Sequence, residues 1–199
     1  MIKHLLFVSV FAVLGFQSTT GAHAACTADK AGSDLTGAET QAVYDCLKED
    51  LQAGYQKGNK RWVSPDFVKG YPGWTAASAF PAAPGFHGGR FLMTYVNSIG
   101  AEEYLKYKAE NVSIPAGTKI AKESFEINDD GKVKKGPLFL MEKVAAGVSP
   151  ETDDWYYMMV APNGAPQAVN VLTACSECHQ DNYGEQGGLG YPVEDARIK

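Results

Sequence analysis

Apolar residues fall at sustained helical spacing in one long stretch of the chain. Val43, Leu47, Leu51 and Tyr55 recur every fourth position up to Gly58, the stripe an amphipathic helix buries. Its start is marked by Thr36 with Glu39 three residues on, the spacing of a capping box. Residues 59–89 then lose all periodicity. Trp62, Pro65, Phe67, Tyr71, Pro72, Trp74, Phe80, Pro81, Pro84 and Phe86 stand among glycines and predict a long irregular connection, a kind that often carries function. Its aromatics either cover a ligand or pack over a sheet. From Arg90 the pattern becomes strand-like. Arg90–Asn97, Thr118–Ile127, Leu138–Val144 and Trp155–Val160 are β-rich runs, with turns at Asn128-Asp129-Asp130-Gly131 and Asn163-Gly164. Gly100–Glu110 predicts a short helix, and Val169–Ala174 another. The last three strands are spaced for an antiparallel meander. The fold class is therefore α+β, a mostly antiparallel sheet with flanking helices. A four-helix bundle is excluded, because it needs four long amphipathic helices.

The N-terminus has a different character. Lys3 precedes an apolar run from Leu5 to Phe16, and Ala22-His23-Ala24 has a small-x-small pattern. The run is too short to span a membrane and reads as a secretory signal over residues 1–24. Residues 25–199 then form one domain: arm and helix (25–58), irregular loop (59–89), sheet and C-terminal motif (90–179) and tail (180–199). The expected location is the bacterial periplasm, with no membrane span. Cys26 stands where a lipid-bearing cysteine could, but His23 occupies the place where lipoprotein signals usually carry leucine. Removing the signal takes away Lys3 and no acid, leaving 17 basic against 23 acidic residues and moving the net charge from −5 to −6. That balance argues against nucleic acid and anionic membrane surfaces as partners.

The chain has four cysteines. Cys175-Ser176-Glu177-Cys178-His179 is the attachment signature of c-type haem. Two thiols at this spacing add to the two vinyl groups of one porphyrin edge, and the adjacent imidazole becomes the proximal iron ligand. Tetrahedral zinc would need a second ligand pair, and a thiol redox pair normally opens a helix after a strand. The cofactor expected is one covalent haem c, with His179 on the iron. In an oxidising compartment the remaining pair, Cys26 and Cys46, reads as a disulfide, the alternative being two unpaired thiols.

Thr94-Tyr95-Val96-Asn97, Gly117-Thr118 with Lys122-Glu123, Trp155-Tyr156-Tyr157 and the C-terminal CxxCH together resemble the cytochrome P460 superfamily, which includes the β-sheet cytochromes c′. The resemblance runs from Arg90 to His179. It implies a five-stranded antiparallel sheet with helices, a homodimer, and an iron with an open or weakly occupied distal side. Its P460 enzymes oxidise hydroxylamine or nitric oxide and bond a lysine to the porphyrin; Lys122 stands at that position, where an ordinary strand lysine is the alternative. Two departures stand out. Leu138 occupies the register of the family's distal carboxylate, with Glu142 four residues on. Leu92 occupies that of a distal arginine, with Arg90 two residues before it. Lys122, Glu142 and Arg90 are thus the candidate catalytic residues.

The sixth iron position has several candidates. His87 is the one histidine besides His179 outside the signal segment, and its alternative role is capping backbone beside Gly88 and Gly89. Met141 and Met93 are the methionine candidates, while Phe139, Phe91 or Phe125 could cap the iron instead. Lys132, Lys134 and Lys135 form a basic cluster, either solvated or a docking spot for an acidic electron-transfer partner. Three functions remain: a hydroxylamine- or NO-oxidising enzyme, a gas-binding protein, and an electron carrier with a Met or His sixth ligand.

Overall fold

Alternating side chains from Arg90 onward build a sheet with two differently used faces. The computed structural model describes residues 26–58, 63–83, 85–169 and 172–199; the predicted signal segment, Trp62 and Pro84 lie outside the described residues. The helix predicted from the apolar stripe is α1 (Gly37–Tyr55). Thr36 caps it as the spacing requires: the Glu39 amide donates to the Thr36 hydroxyl, and the Glu39 carboxylate accepts from the Thr36 amide at 2.7 Å.

The strands are β1 (Thr75–Ala76), β2 (Phe91–Val96), β3 (Lys119–Ile127), β4 (Val133–Lys135), β5 (Leu138–Lys143), β6 (Trp155–Val160) and β7 (Pro166–Val169). They pair antiparallel in the order β1-β2-β3-β5-β6-β7, with β4 beside the far end of β3. The expected meander is β3-β5-β6. Seven strands replace the five implied by resemblance. One reason is that β4 and β5 run along the same side of β3 and are separated only by Gly136-Pro137. Pro137 has no N–H to give a ladder and interrupts the run there.

The stretch expected to be irregular, 59–89, carries α2 (Pro65–Gly70), a 3-10 turn over Tyr71–Gly73 and strand β1. Pro65 opens α2, where its missing N–H costs nothing. The helix expected at 100–110 is α3 (Ser98–Tyr104). Asn97 starts it early by accepting from the Gly100 amide, and Tyr107, in the left-handed region at φ 46°, lies just beyond its end. The helix expected at 169–174 is instead the end of β7 followed by a π-helical turn, Leu172–Glu177, leading into α4 (Cys178–Tyr183). Cys26 and Cys46 form a disulfide that ties the N-terminal arm to α1.

One sheet face packs against α1 and α2 through Phe91, Met93, Tyr95, Phe125, Leu138, Leu140, Met158 and Val160, against Tyr44, Leu47, Leu51 and Phe67. Each such burial contributes about 1.5–3 kcal/mol before entropy. Among the described residues, this core encloses one carboxyl. Glu123 is fully buried and accepts from Tyr44 Oη at 2.5 Å, Tyr71 Oη at 2.7 Å and Gln52 Nε2 at 3.0 Å.

Burial raises the Glu123 pKa above its ordinary value, and the three hydrogen bonds only partly oppose that rise. The folded chain therefore keeps this proton at pH values where the unfolded chain has lost it, and stability falls as pH rises through that interval. In urea unfolding followed from pH 4.5 to 7.5, the stability of wild type relative to Glu123→Gln is expected to decline with pH. A difference independent of pH would show that Glu123 titrates normally in the fold.

Candidate haem site

The other sheet face is built from the alternate residues. Register places Thr94, Lys122, Phe139 and Met159 in one row across β2, β3, β5 and β6, and Val96, Ile120, Met141 and Tyr157 in the next. A cavity of about 290 Å³ opens over these rows, within the range of small-molecule sites. Its sheet wall is Ile120, Lys122, Phe139, Met141, Tyr157 and Met159; its opposite wall is Cys175, Cys178, His179 and Tyr183; Phe86 and His87 complete the rim. The structure therefore brings together seven of the residues singled out from the motif and the distal candidates: Lys122, Cys175, Cys178, His179, His87, Met141 and Phe139.

The π-helical turn ends at Glu177, so the two thiols and His179 lie where an irregular turn becomes regular helix, and such turns often mark functional sites. Both thiols are free. His179 Nδ1 lies 2.7 Å from the Gly188 carbonyl oxygen. A carbonyl only accepts, so Nδ1 carries the proton and Nε2 is left with its lone pair, the arrangement of a metal-ligating histidine with its orienting partner. Burial, with help from nearby Lys122, lowers the His179 pKa to about 4, so the ring is neutral at pH 7. His87 is likewise held neutral, its pKa lowered to about 3 mainly by burial. Lys122 Nζ donates to the Gly190 carbonyl at 2.5 Å. The tail that follows α4 thus braces both walls, through Gly188 on one side and Gly190 on the other. Trp155 Nε1 anchors the same tail by donating to Gly187 O at 2.9 Å.

Several expected site residues lie elsewhere. Glu142 is on the helix-side face, because it alternates with Met141, and it pairs with Lys119 at 3.4 Å; it is not in the cavity. Arg90 stays outside the cavity wall as well. It donates to His87 O at 2.7 Å and meets Glu126 at 2.5 Å, so it props the His87 turn. Leu138 belongs to the helix-side core, as do Met93, Phe91 and Phe125. The lysines of the β3-β4 hairpin are each paired: Lys132 with Asp130, Lys134 with Glu126 and Lys135 with Asp50. Lys132 and Lys134 remain largely exposed in these pairs, at 77% and 71%. Phe86 is the one of the loop aromatics, expected either to cover a ligand or to pack over the sheet, that lines the cavity among the described residues. Tyr157, Met159 and Tyr183 were not anticipated as wall residues. Alternation in Trp155–Val160 could have put Tyr157 and Met159 on one face, but nothing in sequence spacing brings Tyr183 or Phe86 to the same cavity.

An apolar cavity against a β-sheet, facing a thiol pair and an oriented neutral histidine, defines a haem-binding pocket. A sequence model of the cytochrome P460 family matches residues 68–186, and the chain belongs to that family. No curated protein matches the chain. The residues fit the haem that the family implies: a proximal imidazole oriented through its other nitrogen, two free thiols beside it and a largely apolar wall across from it. Among the described residues no group of three or more His, Cys, Asp or Glu side chains forms an alternative metal site, and no helix is long and apolar enough to cross a membrane.

Lys122 is buried, and burial lowers its pKa to about 8. Its positive charge favours the electron added on reduction, so the haem potential is expected to fall as pH rises through about 8. Lys122→Met should have the lower potential at pH 6 and lack this step. Redox titrations between pH 6 and 9.5 measure it, and an unchanged wild-type step in the variant would assign the proton to another group.

Proposed function

We propose that this chain is an exported, periplasmic monohaem cytochrome c, with one haem joined covalently to Cys175 and Cys178 and ligated by His179. It acts in redox or small-nitrogen-species chemistry, on NO rather than hydroxylamine. The observation that carries this reading is the cavity wall: thiols and imidazole on one side, Phe139, Met141 and Met159 on the other, and no carboxylate among its described residues. When bound, haem supplies one-electron chemistry and an iron coordination position.

The residues divide the work. His179, oriented by Gly188, presents Nε2 as proximal ligand. Cys175 and Cys178 supply the thiols for attachment. Apart from Lys122, the wall across from His179 is apolar and favours small neutral molecules. Hydroxylamine oxidation also releases protons, and a base for them must stand within hydrogen-bond reach. Glu142 and Leu138, where the family's carboxylate is sought, lie on the far side of the sheet, and no carboxylate among the described residues lines the cavity. An electron carrier is the second reading, favoured by a second histidine, His87, lining the same cavity with its ring centroid 6.2 Å from that of His179. A periplasmic redox partner serves either reading, and the family resemblance adds a homodimer.

Protein purified from cells that mature c-type cytochromes is expected to have the intact mass of residues 25–199 plus one haem. That haem should resist acid–ketone extraction in wild type and be lost when Cys175 and Cys178 are both changed to alanine. The reduced protein should bind NO and give no steady hydroxylamine turnover with an artificial acceptor. Extractable haem in wild type would overturn the covalent assignment, and steady hydroxylamine turnover would overturn the choice of NO.

A further inference from the structure

We propose that His87 is the sixth ligand of the haem iron, carried on a strained surface turn that must move before a gas can bind. The inference rests on the covalent haem reading above and concerns the opposite side of the same cavity. The His87 and His179 ring centroids are 6.2 Å apart. Two imidazoles on opposite sides of one metal ion, each with a nitrogen about 2.0–2.1 Å from it, hold their centroids about 6.3 Å apart. Direct edge-to-face ring contact is another use of such a separation. Here the rings meet edge to face, with an interplanar angle of 71°, and both border the same cavity. His87 Nδ1 is shut off from solvent and has no hydrogen-bond partner among the described residues. A buried imidazole nitrogen without a partner is costly unless a ligand satisfies it.

The turn that holds His87 is built at a cost. His87 has φ 56°, a left-handed conformation that costs a residue with a Cβ, while Gly88 and Gly89 follow at φ 71° and 72° at no steric cost. Strain of this kind persists where surrounding contacts over-determine it, and it concentrates at ligand clamps and switches. The contacts are present. Arg90 donates to the His87 carbonyl from beneath, and the Phe139 ring lies 4.5 Å from the imidazole. A side chain on Gly88 would come within 2.4 Å of Arg90 Nη1, so the guanidinium and the glycine occupy complementary space. Met141 borders the cavity too, but it belongs to a central strand, where methionine commonly fills space. Gly88 and Gly89 are exposed and Phe86 is 41% exposed, so the turn lies at the surface. The strand row beneath it, Lys122 with Phe139, is held in the sheet. Ligand exchange therefore moves the turn and leaves the sheet in place.

The test uses the purified holoprotein, read by optical and electron paramagnetic resonance spectra and by CO binding after reduction. Wild type is expected to be low-spin in both oxidation states and to bind CO at a rate that saturates with CO concentration. His87→Gly suits the left-handed backbone and leaves room for added imidazole. It should be high-spin and bind CO roughly tenfold or more faster, and imidazole should restore the low-spin spectrum. Met141→Leu should match wild type. A high-spin reduced wild type, or a His87→Gly protein that stays low-spin without imidazole, overturns the assignment. If the His87→Gly variant fails to accumulate, the wild-type spin state and Met141→Leu decide together: a high-spin wild type, or a low-spin spectrum lost in Met141→Leu, overturns the assignment. Haem staining on denaturing gels separates the two proposals: attached but high-spin haem removes His87 as ligand only, whereas absent staining removes the covalent reading.

Discussion

The arrangement depends on the strict alternation of side chains along β3. Successive residues of a strand point to opposite faces, so Lys122 and Glu123, adjacent in sequence, enter different environments. Lys122 borders the cavity and reaches Gly190; Glu123 enters the helix-side core and gathers Tyr44, Tyr71 and Gln52. Antiparallel register carries the division across the sheet: Thr94, Lys122, Phe139 and Met159 form one row, while Leu138 and Leu140 lie on the reverse face. A one-residue slip would exchange the two sets. The apolar packing against α1 and α2 makes such a slip prohibitive, so the same burial that stabilises the fold also sets which residues can meet a haem.

The second constraint comes from the tail. A CxxCH segment in isolation leaves its histidine free to turn. Here Gly187 and Gly188, at φ 67° and 77°, bend the chain back so that the Gly188 carbonyl meets His179 Nδ1. Two residues later the Gly190 carbonyl holds Lys122, and Trp155 of β6 fastens the bend. One short loop thus orients the proximal imidazole and fixes a cation on the opposing wall. The location of both charge and ligand is a property of this return, and belongs to neither the motif nor the strand alone.

Much of this was legible in the linear pattern. The capping box and the four-residue stripe located α1, and the β-rich runs located β2, β3, β5 and β6. CxxCH and Lys122, read through the family resemblance, pointed to a sheet-based haem pocket. The failures have physical causes. The 59–89 stretch was expected to be irregular because its short elements are opened by proline and stabilised by tertiary packing rather than by periodicity. Glu142 and Arg90 were grouped with the site because each shares a strand face with the residue in the family's register, Leu138 or Leu92. The first pair turns together to the helix side, and ion pairing with Glu126 holds Arg90 outside the cavity wall. Tyr183 and Phe86 reach the cavity from segments nearly a hundred residues apart, a proximity that no local pattern encodes.

By itself, then, the sequence determined the local chemistry: a thiol pair with its histidine, a helix with its cap, strands with their alternation. These depend on spacings of a few residues, which backbone geometry converts directly into structure. Only the tertiary structure decided which side of each strand faces the cavity, which carbonyl orients His179, and that His87, some ninety residues away, stands 6.2 Å from it. Those outcomes depend on strand register and chain return, where long-range burial selects one pairing among several that the local pattern allows.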